Sequence, residues 1–317
     1  MALISVPANI DHNYYDFEYL MNEDGNNVRL YGVNHWYKDG EIYLNRLSND
    51  CLDELEIPKN IITCLRINTN NPNLDIDRFL DKFENRNITQ IIINEHCTGI
   101  IISRLPKTLM ILQLNCNVNI SNIPDTLKEF IVYNCTDPVR LPVLSNNVNT
   151  VSINGCTFGD TDLNLPSSVE SLRINLETFN TNFSNWPCNL KELTISQYNT
   201  KYSSGVYTIK MLPVSLRKLT IEINEIPFFL DLPPLLEYLN LNVIKPYGFT
   251  LENNIPDSVE LLRVRYDFCP DMHKYEKLPA KCRTFNYILC PADVFKVLTK
   301  KYKKIKVYLR DSTAMLT

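Results

Sequence analysis

Apolar residues along this chain recur in one short phrase. An apolar residue precedes a proline; three residues ending in Leu or Val follow, and then comes x-x-apolar-x-apolar. The phrase begins at Leu105-Pro106, Ile123-Pro124, Leu165-Pro166, Trp186-Pro187, Leu212-Pro213, Leu232-Pro233, Ile255-Pro256 and Leu278-Pro279. Degenerate copies are Asn87–Ile93, which lacks the proline, Val148–Ile153, whose Pro142 stands three residues early, and Ile57–Ile67, which carries one inserted residue. From Pro166 onward the steps between prolines are 21, 26, 20, 23 and 23 residues. The closing apolar-x-apolar pair is the period-2 mark of a short strand with one buried face. One such unit buries too little apolar surface to offset its ordering entropy, so neighbouring units must stack and share a core. The proline is expected in an extended segment entering the strand, where a fixed φ near −65° costs nothing and no amide donor is needed.

The period falls in the 20–29 residue range of leucine-rich repeats, and a second feature points the same way. That signature is L-x-x-L-x-L-x-x-N/C, and Leu109–Asn117, Leu127–Cys135, Val148–Cys156, Leu216–Asn224 and Cys282–Cys290 fit it. Other units place His96, Glu177, Tyr198, Ile244 or Asp267 at the last position, so the turn ladder is expected to be partial. The expected fold is an α/β repeat solenoid, a leucine-rich-repeat horseshoe with short parallel strands and few helices.

One unit resembles a named variant of that class. Leu165-Pro-Ser-Ser-Val169-Glu-Ser-Leu172-Arg-Ile174, with Phe179-Asn180 and Phe183 after it, is similar to the FNIP repeat. The Leu-Pro half of that repeat is matched across residues 105–288, and the Phe-Asn half is matched well at Phe179-Asn180. FNIP repeats abound in giant viruses of amoebae and in social amoebae, and the Asn-rich composition resembles those genomes. The resemblance implies protein binding in the host cytoplasm and names no substrate.

The ends lack the phrase. Residues 1–56 are expected to form an N-terminal cap or small β-rich region, in which Asn27–Gly32 and Glu41–Asn45 are strands joined through Lys38–Gly40. Residues 57–290 hold about ten or eleven repeats, with a convex helix over Asp75–Phe83. Residues 291–317 read as a C-terminal cap, an amphipathic helix over Pro291–Tyr302 followed by a strand at Ile305–Leu309. Capping of this kind is what an open-ended stack needs for solubility. An open end is also a candidate homodimer contact.

Composition narrows the function classes. Hydrophobic residues make up 44% and charged residues 21%, ordinary for a folded chain. Glycine numbers only 8, which argues against phosphate-cradling loops. A net charge of −4 gives no global support for nucleic-acid binding. Seven Lys/Arg against Asp293 and Asp311 leave residues 291–317 at +5, a stripe that is either a solvated cap face or a contact for an acidic partner, lipid or nucleic acid. The opening Met1–Pro7 has no basic start, and no apolar run approaches the ~18 residues of a membrane span. A cytoplasmic chain with reduced thiols, no membrane contact and no nucleic acid is the expectation.

No catalytic constellation emerges. Cys97, Cys116, Cys135 and Cys156 follow the repeat spacing of 19, 19 and 21, not a zinc-ligand spacing, and are expected as packed thiols. His12, His35, His96 and His273 show no paired ligand spacing. Glu54/Glu56 and Asp75/Asp77 read as solvated surface pairs rather than an acid/base couple. No cofactor or metal is expected, and the chain is not expected to be an enzyme. The strand positions pointing away from the core form the candidate surface. Its middle row runs Ile92, Gln113, Ile131, Ser152, Arg173, Thr194, Thr220, Asn240, Arg263, Asn286. On this face Tyr133, Arg173, Tyr238, Arg263 and Arg265 are the candidate partner contacts, since Tyr and Arg are favoured at hot spots. Otherwise they are solvated strand residues, and the asparagines of the neighbouring row form a hydrogen-bonded ladder. A second functional reading is a substrate receptor of a ubiquitin ligase. Its F-box would have to lie in residues 1–56, where no Leu-Pro-x-Glu start is evident.

Overall fold

The computed structural model describes residues 41–45, 63–68, 73, 75–93, 100–116, 118–133, 141–154, 164–175, 186–196, 212–225, 231–245, 255–265, 278–288, 292–302 and 306–310. Among them each repeat contributes one strand to a single 13-stranded sheet, parallel throughout. The strands are β1 (Glu41–Asn45), β2 (Cys64–Asn68), β3 (Gln90–Ile93), β5 (Ile111–Leu114), β7 (Glu129–Tyr133) and β8 (Thr150–Asn154). They continue as β9 (Ser171–Asn175), β10 (Glu192–Ser196), β11 (Lys218–Glu225), β12 (Tyr238–Lys245), β13 (Leu261–Arg265), β14 (Thr284–Ile288) and β15 (Lys306–Arg310). Spatial order follows sequence order, the arrangement of a solenoid that adds one layer per repeat.

Register explains the core. Leu112, Phe130, Val151, Leu172, Leu193, Leu219, Leu239, Leu262 and Phe285 pair as direct neighbours across the sheet. The second aliphatic row, Leu114, Val132, Ile153, Ile174, Ile195, Ile221, Leu241 and Val264, runs beside it, and all are buried. The Leu or Val that ends the turn adds a third row, with Leu109, Leu127, Val148, Val169, Leu190, Leu216, Leu236 and Val259 fully buried. Three buried rows per unit form one continuous core.

Each strand is launched by the same backbone device. Met110 and Ile111 both donate their N–H to the carbonyl of Thr89, at 2.8 and 2.9 Å. Lys128 and Glu129 do the same to Met110, Glu170 and Ser171 to Asn149, and Arg217 and Lys218 to Lys191. One carbonyl per unit thus accepts the first two donors of the next, which fixes the register before side chains contribute.

The prolines sit elsewhere than the sequence reading placed them. Each is the first residue of a tight turn, and its carbonyl accepts the N–H of the buried residue three residues on, a Leu or Val except for Cys282 after Pro279. Examples are Leu109 to Pro106 at 3.0 Å and Val259 to Pro256 at 3.1 Å. In the unit whose proline stands early, Ser145 takes this place, accepting from Val148 N–H at 3.2 Å. Its hydroxyl also accepts from Asn147 N–H at 3.4 Å, a serine use typical of a turn's opening position.

The turns are tied by a row of hydroxyls. The Ser or Thr two residues after the proline donates to carbonyls of the preceding turn. Thr126 reaches Lys107 and Leu109, and Ser215 reaches Cys188 and Leu190, all at 2.8 Å. Thr108, Ser168 and Ser258 donate likewise to Ile88, Val148 and Pro234. Ser215→Ala is expected to cost ~1 kcal/mol in urea unfolding, the net worth of such a bond. Ser167→Ala, one residue from the equivalent Ser168 and exposed, is expected to stay within ~0.5 kcal/mol.

Between strands, the connecting segments hold two small elements. Helix α1 (Ile76–Asp81) buries Ile76, Phe79 and Leu80, and Phe79 meets Phe83 edge-on at 5.0 Å. Two short strands, β4 (Ile101–Ile102) and β6 (Asn119–Ile120), pair in parallel as a separate two-stranded sheet. The acidic pair expected to be merely solvated is structural. Asp75 caps α1 by accepting Arg78 N–H at 2.9 Å. Asp77 accepts the N–H groups of Ser103 and Arg104 at 2.9 and 3.1 Å, fastening the helix to the next repeat.

Both ends of the described sheet lie beyond the recognisable phrase. Strand β1 is in register with β2, Glu41 beside Cys64 and Leu44 beside Ile67. Its expected partner, Asn27–Gly32, lies outside the described residues. Helix α2 (Ala292–Lys301) precedes β15, which pairs with β14. On this helix Val297 is 50% exposed, and Lys296, Lys300 and Lys301 are exposed as well.

Candidate interaction surface

The three strand positions that alternate with the core rows form the outward rows of the sheet. Among the candidate residues, Arg173 is the most accessible. It stands at the centre of β9, in register with Ser152 and Thr194, and is exposed. Tyr133 closes β7 beside Asn154 and is half-buried. Tyr238 opens β12 between Lys218 and Leu261. Arg263 lies at the centre of β13 between Asn240 and Asn286, and Arg265 pairs with Ile288. The fold therefore gathers Tyr238, Arg263 and Arg265 on adjacent strands and leaves Tyr133 and Arg173 nearer the middle of the sheet.

These rows are less open than the sequence alone implies. Ile92 and Asn240 are each 3% exposed, and Ser152, Asn175 and Ser196 are also buried. Alternation tells which face a strand residue takes, not what overlies that face, and this is why the row reads as uniformly solvated from sequence.

In and beside the asparagine row, side-chain hydrogen bonds run both along and across strands. Asn115 accepts from Gln113 Nε2 at 3.0 Å, and Asn154 Nδ2 donates to Ser152 Oγ at 2.9 Å, both within one strand. Asn240 Nδ2 does cross to Glu222 at 3.3 Å. Among the described residues, the buried Oδ1 atoms of Asn175, Asn240 and Asn242 have no hydrogen-bond partner.

Charges at the start of the strands are paired from unit to unit, which sequence reasoning missed. Lys191 meets Glu170 at 2.7 Å, Arg217 meets Glu237 at 3.6 Å, and Arg283 meets Glu260 at 3.7 Å. Lys218 donates to Glu192, and this bond and the carboxylate's charge raise the lysine's pKa above its ordinary value. Glu170, Lys191, Arg217, Glu237, Glu260 and Arg283 occupy one position in successive repeats, and Glu192 and Lys218 the next, so the signal was charge recurring at a fixed offset, visible only after the units are aligned. Exposed pairs of this kind contribute little stability, at most ~1 kcal/mol each, but they favour one register.

Of the four cysteines expected as packed thiols, Cys116 is described and is buried; Cys64 and Cys282 are buried as well, whereas Cys188 is exposed at a turn. Cys97, Cys135 and Cys156 lie outside the described residues, as do all four histidines and Glu54/Glu56. Among the described residues no group of three or more His, Cys, Asp or Glu side chains is placed to hold a metal ion. Burial pushes the Cys282 thiol pKa up, outweighing hydrogen bonds with the Thr284 and Leu262 backbone. Since the thiolate is the reactive form, Cys188 should be labelled by maleimide well before Cys282 at neutral pH. Peptide mapping by mass spectrometry checks the order.

Parallel strands in sequence order, one per Leu-x-x-Leu-x-Leu unit, define a leucine-rich-repeat-like β-solenoid. No family model matches the chain, and no curated protein matches it. Among solved structures it is similar to a giant-virus protein described as CroV588, a novel circular LRR protein, with 18% identity and a TM-score of 0.45. The match covers 74% of this chain and 38% of that one, so the chain spans well under half the length of that protein. Among the described residues, no helix is long and apolar enough to cross a membrane.

Proposed function

We propose that the chain is a non-enzymatic protein-interaction module that binds through the outward rows of its sheet. The observation that carries this reading is the accessible Arg173 at the sheet's centre, with Tyr133 two strands away on β7 and Tyr238, Arg263 and Arg265 on β12 and β13, none of them used by the core. Described acidic residues are largely committed to structure. Asp75 and Asp77 hold α1, and Glu170, Glu192, Glu237 and Glu260 pair with cations of adjacent repeats. The resemblance of Leu165–Phe183 to FNIP repeats supports a viral chain acting on host or viral proteins in the host cytoplasm. Residues 176–185, which contain the Phe-Asn half, lie outside the described residues. So does the 1–56 region required by the ligase-receptor reading, apart from β1.

Affinity purification from amoebal lysate, read by mass spectrometry, tests the reading. A protein captured by the unmodified chain should be lost with the double variant Tyr133→Ala, Arg173→Glu. It should be retained with Lys107→Glu, which alters an exposed turn. A hot-spot loss of this kind weakens binding by about tenfold or more. Capture that ignores the outward rows would sink the proposal.

A further inference from the structure

Helix α2 turns a cationic face to solvent. Lys296, Val297, Thr299, Lys300 and Lys301 are all exposed. At 3.6 residues per turn, Lys296, Lys300, Val297 and Lys301 fall in that order within an arc of about 140°. Val297, half exposed, thus has lysines on both sides of it. Just past the helix, Tyr302 packs against the core, and its ring centre lies 5.6 Å from Lys301 Nζ. Lys191 and Lys218 are paired with glutamates of adjacent repeats, but among the described residues no carboxylate pairs with Lys296 or Lys300. Asp293, the acidic residue of the helix, stands in its first turn, where a carboxylate suits the positive end of the helix dipole. In sequence Lys303, Lys304, Lys306 and Arg310 follow. Residues 291–317 therefore carry +5, and the remainder of the chain −9, against a total of −4.

We propose that this face of α2 seats the protein on an anionic lipid surface as a peripheral contact. The inference goes beyond the protein-interaction reading and does not rest on it. The expectation of no membrane contact followed from the lack of a span-length apolar run, and a helix lying on the surface needs none. Lysine is a compact, hydrated point charge on a long stem. It suits a diffuse field of headgroups better than one fixed carboxylate geometry, which arginine would read. Its stem lies along the apolar boundary while the ammonium reaches the headgroups. Val297 then leaves water among those stems, adding an apolar contribution to the electrostatic one. A basic cluster on an amphipathic helix is the composition that binds acidic lipid. The −9 on the rest of the chain is repelled by the same surface, so the C-terminal end leads the approach.

Co-sedimentation of the full chain with vesicles tests this. Vesicles of three parts phosphatidylcholine to one part phosphatidylserine should carry the chain down, and vesicles of phosphatidylcholine alone should not. Added salt should release it. Lys296→Gln and Lys300→Gln should each weaken partition about fivefold, the factor one lysine contributes near an acidic bilayer. Val297→Gln should weaken it about threefold, a smaller loss because that side chain is already half covered. Lys107→Gln, at an exposed turn, should leave it unchanged. Circular dichroism melts verify that each variant is folded, and Lys300→Gln carries the test if Lys296→Gln does not fold. Equal sedimentation with both kinds of vesicle overturns the proposal. So does sedimentation with neither, or a loss with Lys107→Gln equal to that with Lys296→Gln. Release from the vesicles by an oligo-glutamate peptide or an oligothymidylate carrying less charge than the lipid present would make an acidic protein or a nucleic acid the preferred occupant, and overturns it too.

Discussion

Phe130→Ala is expected to lower unfolding stability by ~3–5 kcal/mol, the range for emptying a buried aromatic site. Phe130 is fully buried and stands in register between Leu112 and Val151. In a solenoid each unit packs only on its neighbours. A void in the middle therefore weakens two interfaces at once, and no distant part of the core shares the loss. The sheet relaxes little toward such a void, because β7 is held on both edges by backbone pairing, with β5 on one side and β8 on the other. Urea unfolding followed by circular dichroism measures the difference. A loss below ~1 kcal/mol would mean that the Phe130 row is not a continuous packed core.

The rows of that core were legible in the sequence because burial and spacing coincide. Leu112 and Leu114 alternate as a strand with one buried face must, and Leu109 recurs at a fixed offset because it ends the same turn in every unit. The turn itself was less legible. Proline tolerates several settings with φ near −65°, and only the hydrogen bond from Leu109 to Pro106 places it at the turn's first position. The hydroxyl two residues later was present in the repeat as Thr108, Thr126, Ser168, Ser215 and Ser258. Its reason was hidden because its partners are carbonyls of another repeat. Strand β1 was expected from Glu41–Asn45, but its place beside β2 was not, since nothing in its composition records which strand it pairs with. For the candidate surface, alternation assigned Asn240 and Ser152 to the outward side but carried no information about their burial. Proximity of Arg263 and Arg265 to β15 follows from register, which sequence could supply only through the aligned repeats.

The sharpest consequence of this architecture is a parity effect within one strand. In β10, Leu193 is buried between Leu172 and Leu219, while the next residue, Thr194, faces outward beside Arg173. Leu193→Glu is expected to cost more than ~4 kcal/mol at neutral pH, because it removes a core side chain and introduces a carboxylate with no cationic partner. Thr194→Glu, one position away, is expected to change stability by less than ~0.5 kcal/mol, since the new carboxylate lies in water next to a guanidinium. The two variants should also differ in pH response. Burial raises the pKa of a glutamate at position 193 in the folded state above the ~4.3 of the unfolded chain. The unfolded state then releases its proton first, so stability falls as pH rises from about 4 through the folded-state pKa. Part of the loss should therefore be recovered near pH 4, where glutamate at 193 is protonated in the fold. Paired urea titrations of both variants at acidic and neutral pH give the comparison. Equal losses at positions 193 and 194 are incompatible with a strand that has one face in the core and one outside it.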